Sequence, residues 1–267
     1  MSAQPQAQQP VLLREERDGI ATLTLNRPAQ MNLLTTQMLS ALQDSLDSIQ
    51  KNADIRVVIL AAAGKGFCAG HDLKEIKALG DQAKIAALFT QCSRMMMSIQ
   101  NLPQPVIAKV QGPAAAAGAQ LVAQCDLAVA SETAKFVTSG VTWGFFCSTP
   151  GVAIGRNLQR KHAMEMLLTG EPISAQRAME WGLVNKVVAA DALDGETLAL
   201  AKTIASKPPA TVAAGKRGFY RQMDMDLPRA YALAGDVIAA SFAHEEGKEG
   251  MAAFIEKRPP DWKPGSK

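Results

Sequence analysis

The chain has 267 residues, of which 48% are apolar and 20% are charged, and its formal net charge is +3. This length and composition suit one large domain, with or without an appendage, that buries a sizeable core. The small and dispersed positive charge argues against a dedicated nucleic-acid binder. No apolar run reaches the roughly 18 residues that a membrane-spanning helix requires.

The amino-terminal stretch, residues 1–10, is polar and rich in Gln and Pro. It has neither the basic and apolar segments of a signal peptide nor the arginines of a transit peptide, so we expect a flexible tail. The four cysteines show neither a CxxC pair nor zinc-site spacing, which indicates reduced, mostly buried thiols and predicts a cytoplasmic protein. With only three histidines, a multi-histidine metal site is not expected, and we predict no metal.

The first predicted elements are a hairpin, a helix and a buried strand. Residues 11–16 and 20–25 alternate apolar and polar positions around Asp18-Gly19, a favoured two-residue hairpin turn. Thr35 or Thr36 is a suitable cap for a helix whose apolar residues recur at helical spacing, namely Met38, Leu39, Leu42, Leu46 and Ile49. The uninterrupted apolar run 57–63 predicts a strand that is buried on both faces.

A glycine-containing loop follows this strand. Gly64, Gly66 and Gly70 are spaced GxGxxxG, which matches neither the dinucleotide-binding pattern GxGxxG nor a phosphate loop ending in GK[ST]. We therefore expect a glycine-lined loop and then a short helix that starts at Asp72. The periodicity of residues 81–101 predicts a second helix, in which the methionines pack as flexible core residues.

The stretch 107–127, IAKVQGPAAAAGAQLVAQCDL, has the pattern of a strand, a small-residue turn, a helix and a second strand. Small residues at the turn let a ligand approach the backbone closely. The N–H groups at the start of the helix have no partner within the helix and are electropositive. A site built from backbone N–H groups is therefore our first hypothesis for this protein.

The rest of the chain continues the alternation and ends in helices. We expect a short strand at 134–138, a loop at 140–151 and a last strand at 183–188. The predicted helices are 161–169, 174–181 (capped by Ser174 and closed by Gly182), 191–206, 210–222, 228–243 and 246–257. Alternating strands and helices over the first two-thirds predict an α/β fold with a largely parallel sheet, and the last third is predicted to be helical.

Six segments in register resemble the enoyl-CoA hydratase/isomerase (crotonase) superfamily. They are LTLNRPAQMN (23–32), FCAGHDLKEI (67–76), IAKVQGPAAAAGAQLVAQCDLAVAS (107–131), SETAKF (131–136), LTGEPISAQRAMEWGLVNKVV (168–188) and EGMAAFIEKRPPDW (249–262). The match covers essentially residues 11–262. The segment GFFCSTPGVA (144–153) is most similar to a branch of hydratase domain-containing proteins that lack the usual catalytic glutamates.

This resemblance implies a crotonase-like spiral of ββα units over residues 11–195. It also implies a C-terminal helical region, 196–267, that drives assembly into a homotrimer or into a hexamer of two trimers. The implied ligand is an acyl-CoA thioester, with coenzyme A as part of the substrate and no other cofactor, and the nominal reaction is the hydration of a 2-enoyl-CoA by a lyase. By position, the backbone amides of His71 and Ala117 hold the thioester oxygen as it becomes an enolate.

The resemblance also implies that further residues meet the substrate. They are Met31, Ala69, Asp72, Leu73, Lys74, Trp143, Ser148, Phe254 and Lys257. The candidates for contact with the CoA phosphates are Lys74, Lys248, Lys257 and Arg258, although charged runs are usually solvated. Trp143, Phe145 and Phe146 either line the acyl pocket or belong to the core.

The acid–base positions depart from the family pattern. The first glutamate of hydratases falls at Gln120, the second falls at Gly140, and a carboxylate of other branches falls at Ser148. Hydration needs a group that activates water and delivers a proton, and an amide does not titrate near neutrality. We therefore do not expect hydration at the usual rate. The alternatives are isomerisation, decarboxylation or thioester hydrolysis through the same enolate, or an acyl-CoA-binding protein with little or no catalysis.

Several side chains near these positions have two interpretations. The imidazole of His71 is either a base or a group that is hydrogen-bonded to backbone and turned away from the thioester, and we favour the second. Asp72 and Glu75 are either acids at the site or, as we prefer, caps of the helix that they begin. Gln120 is expected to face the acyl chain rather than solvent, since it lies one turn after the oxyanion-hole residue. Cys147 is expected to be a buried thiol because no partner base is evident.

Overall fold

The structure is a computed structural model that describes residues 9–262, so most of the predicted tail 1–10 lies outside the described residues. Within this range the strands are β1 (Leu12–Arg17), β2 (Ile20–Leu25), β3 (Val57–Ala62), β4 (Val106–Val110), β5 (Ala114–Ala115), β6 (Leu127–Ser131), β7 (Lys135–Val137), β8 (Ile173–Ser174) and β9 (Lys186–Val188). The helices are α1 (Thr36–Gln50), α2 (Leu73–Leu79), α3 (Gln82–Asn101), α4 (Ala117–Gln124), α5 (Ser148–Asn157), α6 (Arg160–Thr169), α7 (Ala175–Trp181), α8 (Leu193–Ala205), α9 (Pro209–Gln222), α10 (Leu227–Ala243) and α11 (Glu245–Ile255). Short 3₁₀ turns lie at Pro28–Gln30 and Ser139–Trp143.

The larger sheet has the strand order β1-β2-β3-β4-β6-β9. Only the β1–β2 pair is antiparallel, and it is joined by Asp18 and Gly19 with φ angles of 53° and 75°. A two-residue turn with both φ angles positive matches the twist of a hairpin, so the predicted Asp-Gly hairpin is confirmed. The remaining pairs are parallel, which confirms the predicted largely parallel sheet.

The two faces of the larger sheet are covered by different helices. In β3, Val58 and Leu60 join the main core, whereas Val57 and Ile59 face the opposite side. On that second side the sheet packs against α8 through Leu193 and Ala201. A sheet that is covered on both faces explains the uninterrupted apolar runs of its central strands. The predicted domain boundary at 195 therefore falls inside α8, a helix that is packed on the sheet.

A second, smaller sheet has the order β5-β7-β8. Two of its strands, β5 and β8, are only two residues long and were not predicted, because so short a strand shows no periodicity. Its register places Ala114 opposite Phe136 and Ala115 opposite Val137 in parallel. This pairing brings the turn before α4 against β7.

The predicted loop at 140–151 is wrong for its last part. A 3₁₀ turn covers Ser139–Trp143, and α5 begins at Ser148. Pro150 lies in the first turn of this helix, where a missing N–H costs no intrahelical hydrogen bond. The last strand is also shorter than predicted, because it begins at Lys186 rather than at 183.

The C-terminal helix α9 is tied to the core by a buried ion pair. The Nζ atom of Lys216 lies 2.7 Å from Oδ2 of Asp126, and the two side chains are 7% and 13% exposed. The same ammonium donates to the carbonyl groups of Ile99 and Gln104, and the hydroxyl of Tyr220 donates to Oδ1 of Asp126. Burial lowers the pKa of Lys216, while the nearby Asp126 carboxylate acts in the opposite direction.

Candidate active site

Two loops that follow β3 and β4 run side by side in parallel. The N–H groups of Phe67 and Cys68 donate to the carbonyl of Pro113, at 3.0 and 3.3 Å. The N–H of Ala115 donates in turn to the carbonyl of Cys68 at 2.8 Å. Each loop therefore continues, in the same direction, toward one of the two predicted amide donors.

The two loops approach so closely that two glycines are required. A Cβ atom on Gly70, whose φ is +93°, would lie 3.1 Å from the carbonyl oxygen of Ala115 and 3.2 Å from the nitrogen of Ala117. A Cβ atom on Gly118 would lie only 2.1 Å from the carbonyl oxygen of Cys68. Gly118 therefore has no room for a side chain, and at Gly70 the positive φ and the tight contacts both disfavour one, so the backbones of the loops are in direct contact.

Both predicted amide donors are available. Among residues 9–262, neither the N–H of His71 nor that of Ala117 donates to a protein acceptor. Ala117 is the first residue of α4, and the N–H groups at such a helix end carry partial positive charge. The preceding residue, Ala116, has φ 48° and ψ −115°, a strained conformation for a residue with a side chain. Its N–H donates to the carbonyl of Val137 at 2.8 Å, which holds the turn against β7.

The side chain of His71 is bonded to backbone. Its Nδ1 lies 3.1 Å from the carbonyl oxygen of Leu34, and since a carbonyl only accepts, Nδ1 carries the proton. The ring packs edge-on against Phe89, with 5.0 Å between the centroids. Burial lowers the pKa of His71, although the Leu34 carbonyl and Glu75 oppose this shift. The prediction of a backbone-bonded imidazole is therefore confirmed. Nε2, which then carries the free lone pair, is buried without a partner among the described residues, so the base interpretation stays an alternative.

Gln120 is enclosed in the protein. Its side chain is 4% exposed, and its Oε1 atom has no hydrogen-bond partner among the described residues. The alternative of a solvated helix residue is therefore wrong. An unpaired amide oxygen inside a protein is costly, so its retention one turn after Ala117 is consistent with a role toward a bound molecule.

Gly140 has no room for a side chain. A Cβ atom there would lie 2.6 Å from the carbonyl oxygen of Phe145 and 2.7 Å from Sγ of Cys147. The space in which a second glutamate would start is thus filled by residues 145–147 of the same chain. Burial raises the pKa of Cys147, although a backbone hydrogen bond from Gly140 opposes the shift. The prediction of a buried thiol at this position is confirmed.

The two carboxylates closest in sequence to His71 are engaged in helix caps. An oxygen of Asp72 accepts from the N–H groups of Lys74 and Glu75 at 2.8 and 3.4 Å, as predicted for a cap of α2. Glu75 instead accepts from the N–H of Thr36, at 3.1 and 3.2 Å, and therefore caps α1. This cap, which joins two distant segments of the same chain, was missed because the two residues are far apart in sequence.

Other residues predicted to meet the substrate surround the first loop. The N–H of Ala69 donates to the carbonyl of Met31 at 3.0 Å, so these two residues are adjacent. Leu73 is 55% exposed on α2, and Lys74 is exposed beside it. These positions leave a partly apolar surface next to the His71 amide, and their contact with a substrate stays a prediction.

The aromatic and C-terminal candidates are placed differently. Trp143 is 70% exposed, so the core interpretation is wrong for it, and Ser148 is exposed at the first position of α5. Phe254 is 86% exposed on α11, which packs against α9 and α10, and its contact with a substrate stays a prediction. Lys257 follows α11 and is exposed as well.

Two carboxamides beside the loops, one buried and one half-buried, were missed at the sequence level. The Nδ2 atom of Asn32 donates to the carbonyl groups of Ala63 and Gly66, and its side chain is fully buried. The Nε2 atom of Gln111 lies within hydrogen-bond distance of three carbonyl oxygens in the same loop. The sequence signal of Gln111 is a polar residue at the end of an apolar run, which is too common to be diagnostic.

Within residues 9–262, no group of three or more His, Cys, Asp or Glu side chains is arranged to hold a metal ion. No helix of that range combines the length and the hydropathy needed to cross a bilayer.

A sequence model of the family described as enoyl-CoA hydratase/isomerase matches residues 15–265. The human enoyl-CoA hydratase domain-containing protein 3, mitochondrial, is 47% identical over 245 residues, which cover 92% of this chain and 81% of that protein. The crystal structure of an enoyl-CoA hydratase from Mycobacterium smegmatis matches with a TM-score of 0.94 and 50% identity, over 95% of this chain and 99% of the other. The crystal structure of human enoyl-CoA hydratase domain-containing protein 3 matches with a TM-score of 0.92 and 45% identity, over 94% and 100% of the two chains.

The expectation of a cytoplasmic protein is wrong on this comparison. The relatives from mouse, rat and human are named as mitochondrial proteins. Free thiols indicate a reducing environment, but they do not specify which compartment supplies it.

Proposed function

The chain belongs to the enoyl-CoA hydratase/isomerase family, and from this premise we propose that it binds an acyl-CoA thioester and stabilises the enolate of that thioester. The resemblance noted in the sequence and the crotonase-like α/β fold are both confirmed. The proposed oxygen site consists of the backbone N–H groups of His71 and Ala117. Coenzyme A enters as part of the substrate, and the proposal includes no other cofactor.

One observation supports this proposal above the others. Two N–H groups without a protein acceptor, one of them at the start of α4, lie on loops that are held in contact by hydrogen bonds and by two glycines. Donors that are fixed in advance stabilise a developing negative charge without reorganising, and each such donor typically contributes about 3 kcal/mol to the transition state. The ring of His71 is bonded to backbone, and burial lowers its pKa, which favours the uncharged ring.

The nominal reaction of the family is the hydration of a 2-enoyl-CoA. The reaction proposed for this chain differs from it, because the two glutamate positions are changed. Gln120 is an amide and Gly140 has no room for a side chain, so neither position supplies a proton donor or acceptor. We favour enolate chemistry that does not depend on these two carboxylates, such as isomerisation, decarboxylation or thioester hydrolysis. A weakly catalytic or non-catalytic acyl-CoA-binding protein is the second candidate, because the same architecture suits it.

Assembly into a homotrimer, or into a hexamer of two trimers, is part of the proposal. The C-terminal helices expose large apolar side chains, including Phe219, Leu227, Tyr231, Ile238, Phe242, Phe254 and Ile255. Exposed large apolar side chains that are concentrated on these helices favour burial between subunits. Light scattering coupled to size-exclusion chromatography tests this point, and a monomer at micromolar concentration would contradict it.

The decisive variant is Ala117→Pro, which removes one proposed donor. Proline is tolerated at the first position of a helix, where no intrahelical hydrogen bond is lost. The matched control is Ala117→Gly, which removes the methyl group and keeps the N–H. If a panel of acyl-CoA thioesters identifies a turnover, we expect Ala117→Pro to lower it by about 10²–10³-fold, whereas Ala117→Gly retains it.

The same experiment separates the two candidate functions. Tight binding of acyl-CoA without product from any thioester supports the binding protein. Turnover that survives Ala117→Pro in a folded protein, checked by circular dichroism, would sink the proposed oxygen site.

A further inference from the structure

One side chain, that of Gln111, binds three carbonyl groups at the end of β3 and in the loop that leads to His71. The Nε2 atom of Gln111 lies 3.0 Å from the carbonyl oxygen of Ala62, 3.1 Å from that of Gly64 and 2.9 Å from that of Gly66. Two hydrogens serve these three acceptors, so the carboxamide is fully used as a donor. Its Oε1 atom is buried without a partner among the described residues.

A second carboxamide completes this arrangement. Nδ2 of Asn32 donates to the carbonyl groups of Ala63 and Gly66, at 2.9 and 3.0 Å. Its Oδ1 accepts from the N–H of Arg27 at 2.9 Å. Asn32 also has a positive φ of 53°, a conformation that its short polar side chain tolerates. Together the two side chains bind the carbonyl groups of residues 62, 63, 64 and 66.

Gln111 belongs to the other loop of the site. It follows β4 directly and precedes Gly112, where a Cβ atom would lie 2.0 Å from the carbonyl oxygen of Lys65. The next residue, Pro113, accepts the N–H groups that begin the parallel contact of the two loops. The side chain of Gln111 therefore joins the start of the segment that leads to Ala117 to the start of the segment that leads to His71.

We propose that Gln111 is a positioning residue that sets the separation of the two amide donors, with Asn32 as its support. The inference rests on the proposed function, because it matters only if the amides of His71 and Ala117 receive a thioester oxygen. Misplacing such a group by about 1 Å is enough to cost about 100-fold in rate. A shift of one loop relative to the other is therefore sufficient to uncouple the donors without unfolding the protein.

The test compares Gln111→Leu with Gln104→Leu. Gln104, at the opposite end of β4, is a suitable control, since its Nε2 likewise donates to carbonyl groups, those of Ile49 and Asn52, and its Oε1 has no partner among the described residues. Both variants lose a carboxamide of the same kind, so a loss of stability is expected in each. Only the first variant is expected to alter the oxygen site.

The readout is the infrared stretching frequency of the thioester carbonyl in bound butyryl-CoA labelled with ¹³C at that carbon. In the wild-type protein, two donors are expected to lower this frequency relative to free butyryl-CoA. In Gln111→Leu most of the lowering should be lost, whereas Gln104→Leu should retain it. Retention of the full lowering in Gln111→Leu, or an equal loss in both variants, would overturn the inference.

Two further outcomes show whether a negative result concerns Gln111, the proposed oxygen site or the folding of the variant. If the wild-type protein binds butyryl-CoA without any lowering of the frequency, the oxygen site itself is wrong and the inference falls with it. If Gln111→Leu does not fold, Gln111→Asn replaces it, because the shorter carboxamide reaches fewer of the three carbonyl groups. An intermediate frequency in Gln111→Asn supports the inference, and the wild-type frequency contradicts it.

Discussion

Adding a single methyl group at Gly140 is expected to destabilise the protein by about 1–3 kcal/mol, the usual cost of overpacking a close-packed site. The new Cβ atom would lie 2.6 Å from the carbonyl oxygen of Phe145, 2.7 Å from Sγ of Cys147 and 3.1 Å from a ring carbon of Phe145. The closest of these atoms belongs to the backbone, so a change of side-chain rotamer does not relieve the contact. Residues 145–147 must move as a segment.

Urea unfolding of Gly140→Ala measures this cost, and Gly215→Ala is the matched control. Gly215 lies in the middle of α9, and a Cβ atom there meets nothing within 4 Å. Alanine has a higher helix propensity than glycine, so the free energy of unfolding of this control should rise by up to about 1 kcal/mol. If the urea midpoint of Gly140→Ala equals that of the wild-type protein, residues 145–147 move without cost and the steric argument is wrong.

The same geometry predicts the outcome of restoring the family glutamates. Gln120→Glu places a carboxylate one turn after Ala117, whereas Gly140→Glu forces residues 145–147 aside. We therefore expect the double variant to hydrate crotonyl-CoA no faster than Gln120→Glu alone, as measured by the loss of the enoyl absorbance. A large gain from Gly140→Glu would show that its side chain reaches the substrate after all.

Three further changes have expected outcomes. Replacing Lys216 with Met should lower the free energy of unfolding by about 3–5 kcal/mol, because Asp126 is left as a buried, uncompensated charge. A urea titration that finds a loss below about 1 kcal/mol, the range of exposed ion pairs, would contradict this. The pKa of His71 is lowered by burial, so the unfolded chain takes up this proton first as the pH falls below about 6.5. Stability should therefore decline on acidification from that pH, and His71→Asn should show a shallower decline in urea titrations at several pH values. Gln120→Leu removes the unpaired Oε1 atom and should raise the melting temperature by roughly 2–4 °C. An unchanged or lower melting temperature in calorimetry would mean that this oxygen has a partner.

Local chemistry in the sequence determined most of the individual elements. Asp18-Gly19 specifies its hairpin turn because both residues tolerate a positive φ, and Thr35, Asp72 and Ser174 each cap the helix that follows. The apolar run in β3 signals a doubly covered strand, since few positions in such a strand meet water. These features depend on contacts within a few residues, so one sequence is enough to predict them.

The site could be recognised in the sequence only in part. The small-residue turn before α4 and the family motifs identified Ala117 and His71 as candidate donors. The sequence also shows directly that Gln120 and Gly140 stand where the family has its two glutamates. The burial of Gln120 was expected from its register, and the structure agrees with that expectation.

The tertiary structure alone decided how these residues are assembled. Gln111 reaches carbonyl groups 45 to 49 residues away, and Glu75 caps a helix that begins 39 residues earlier. The filling of the space at Gly140 by Phe145 and Cys147 depends on the path of a turn whose sequence does not specify its direction. Such contacts arise where distant segments meet. A single sequence contains local preferences for each segment, but the distance between two segments is set by the packing of the whole chain.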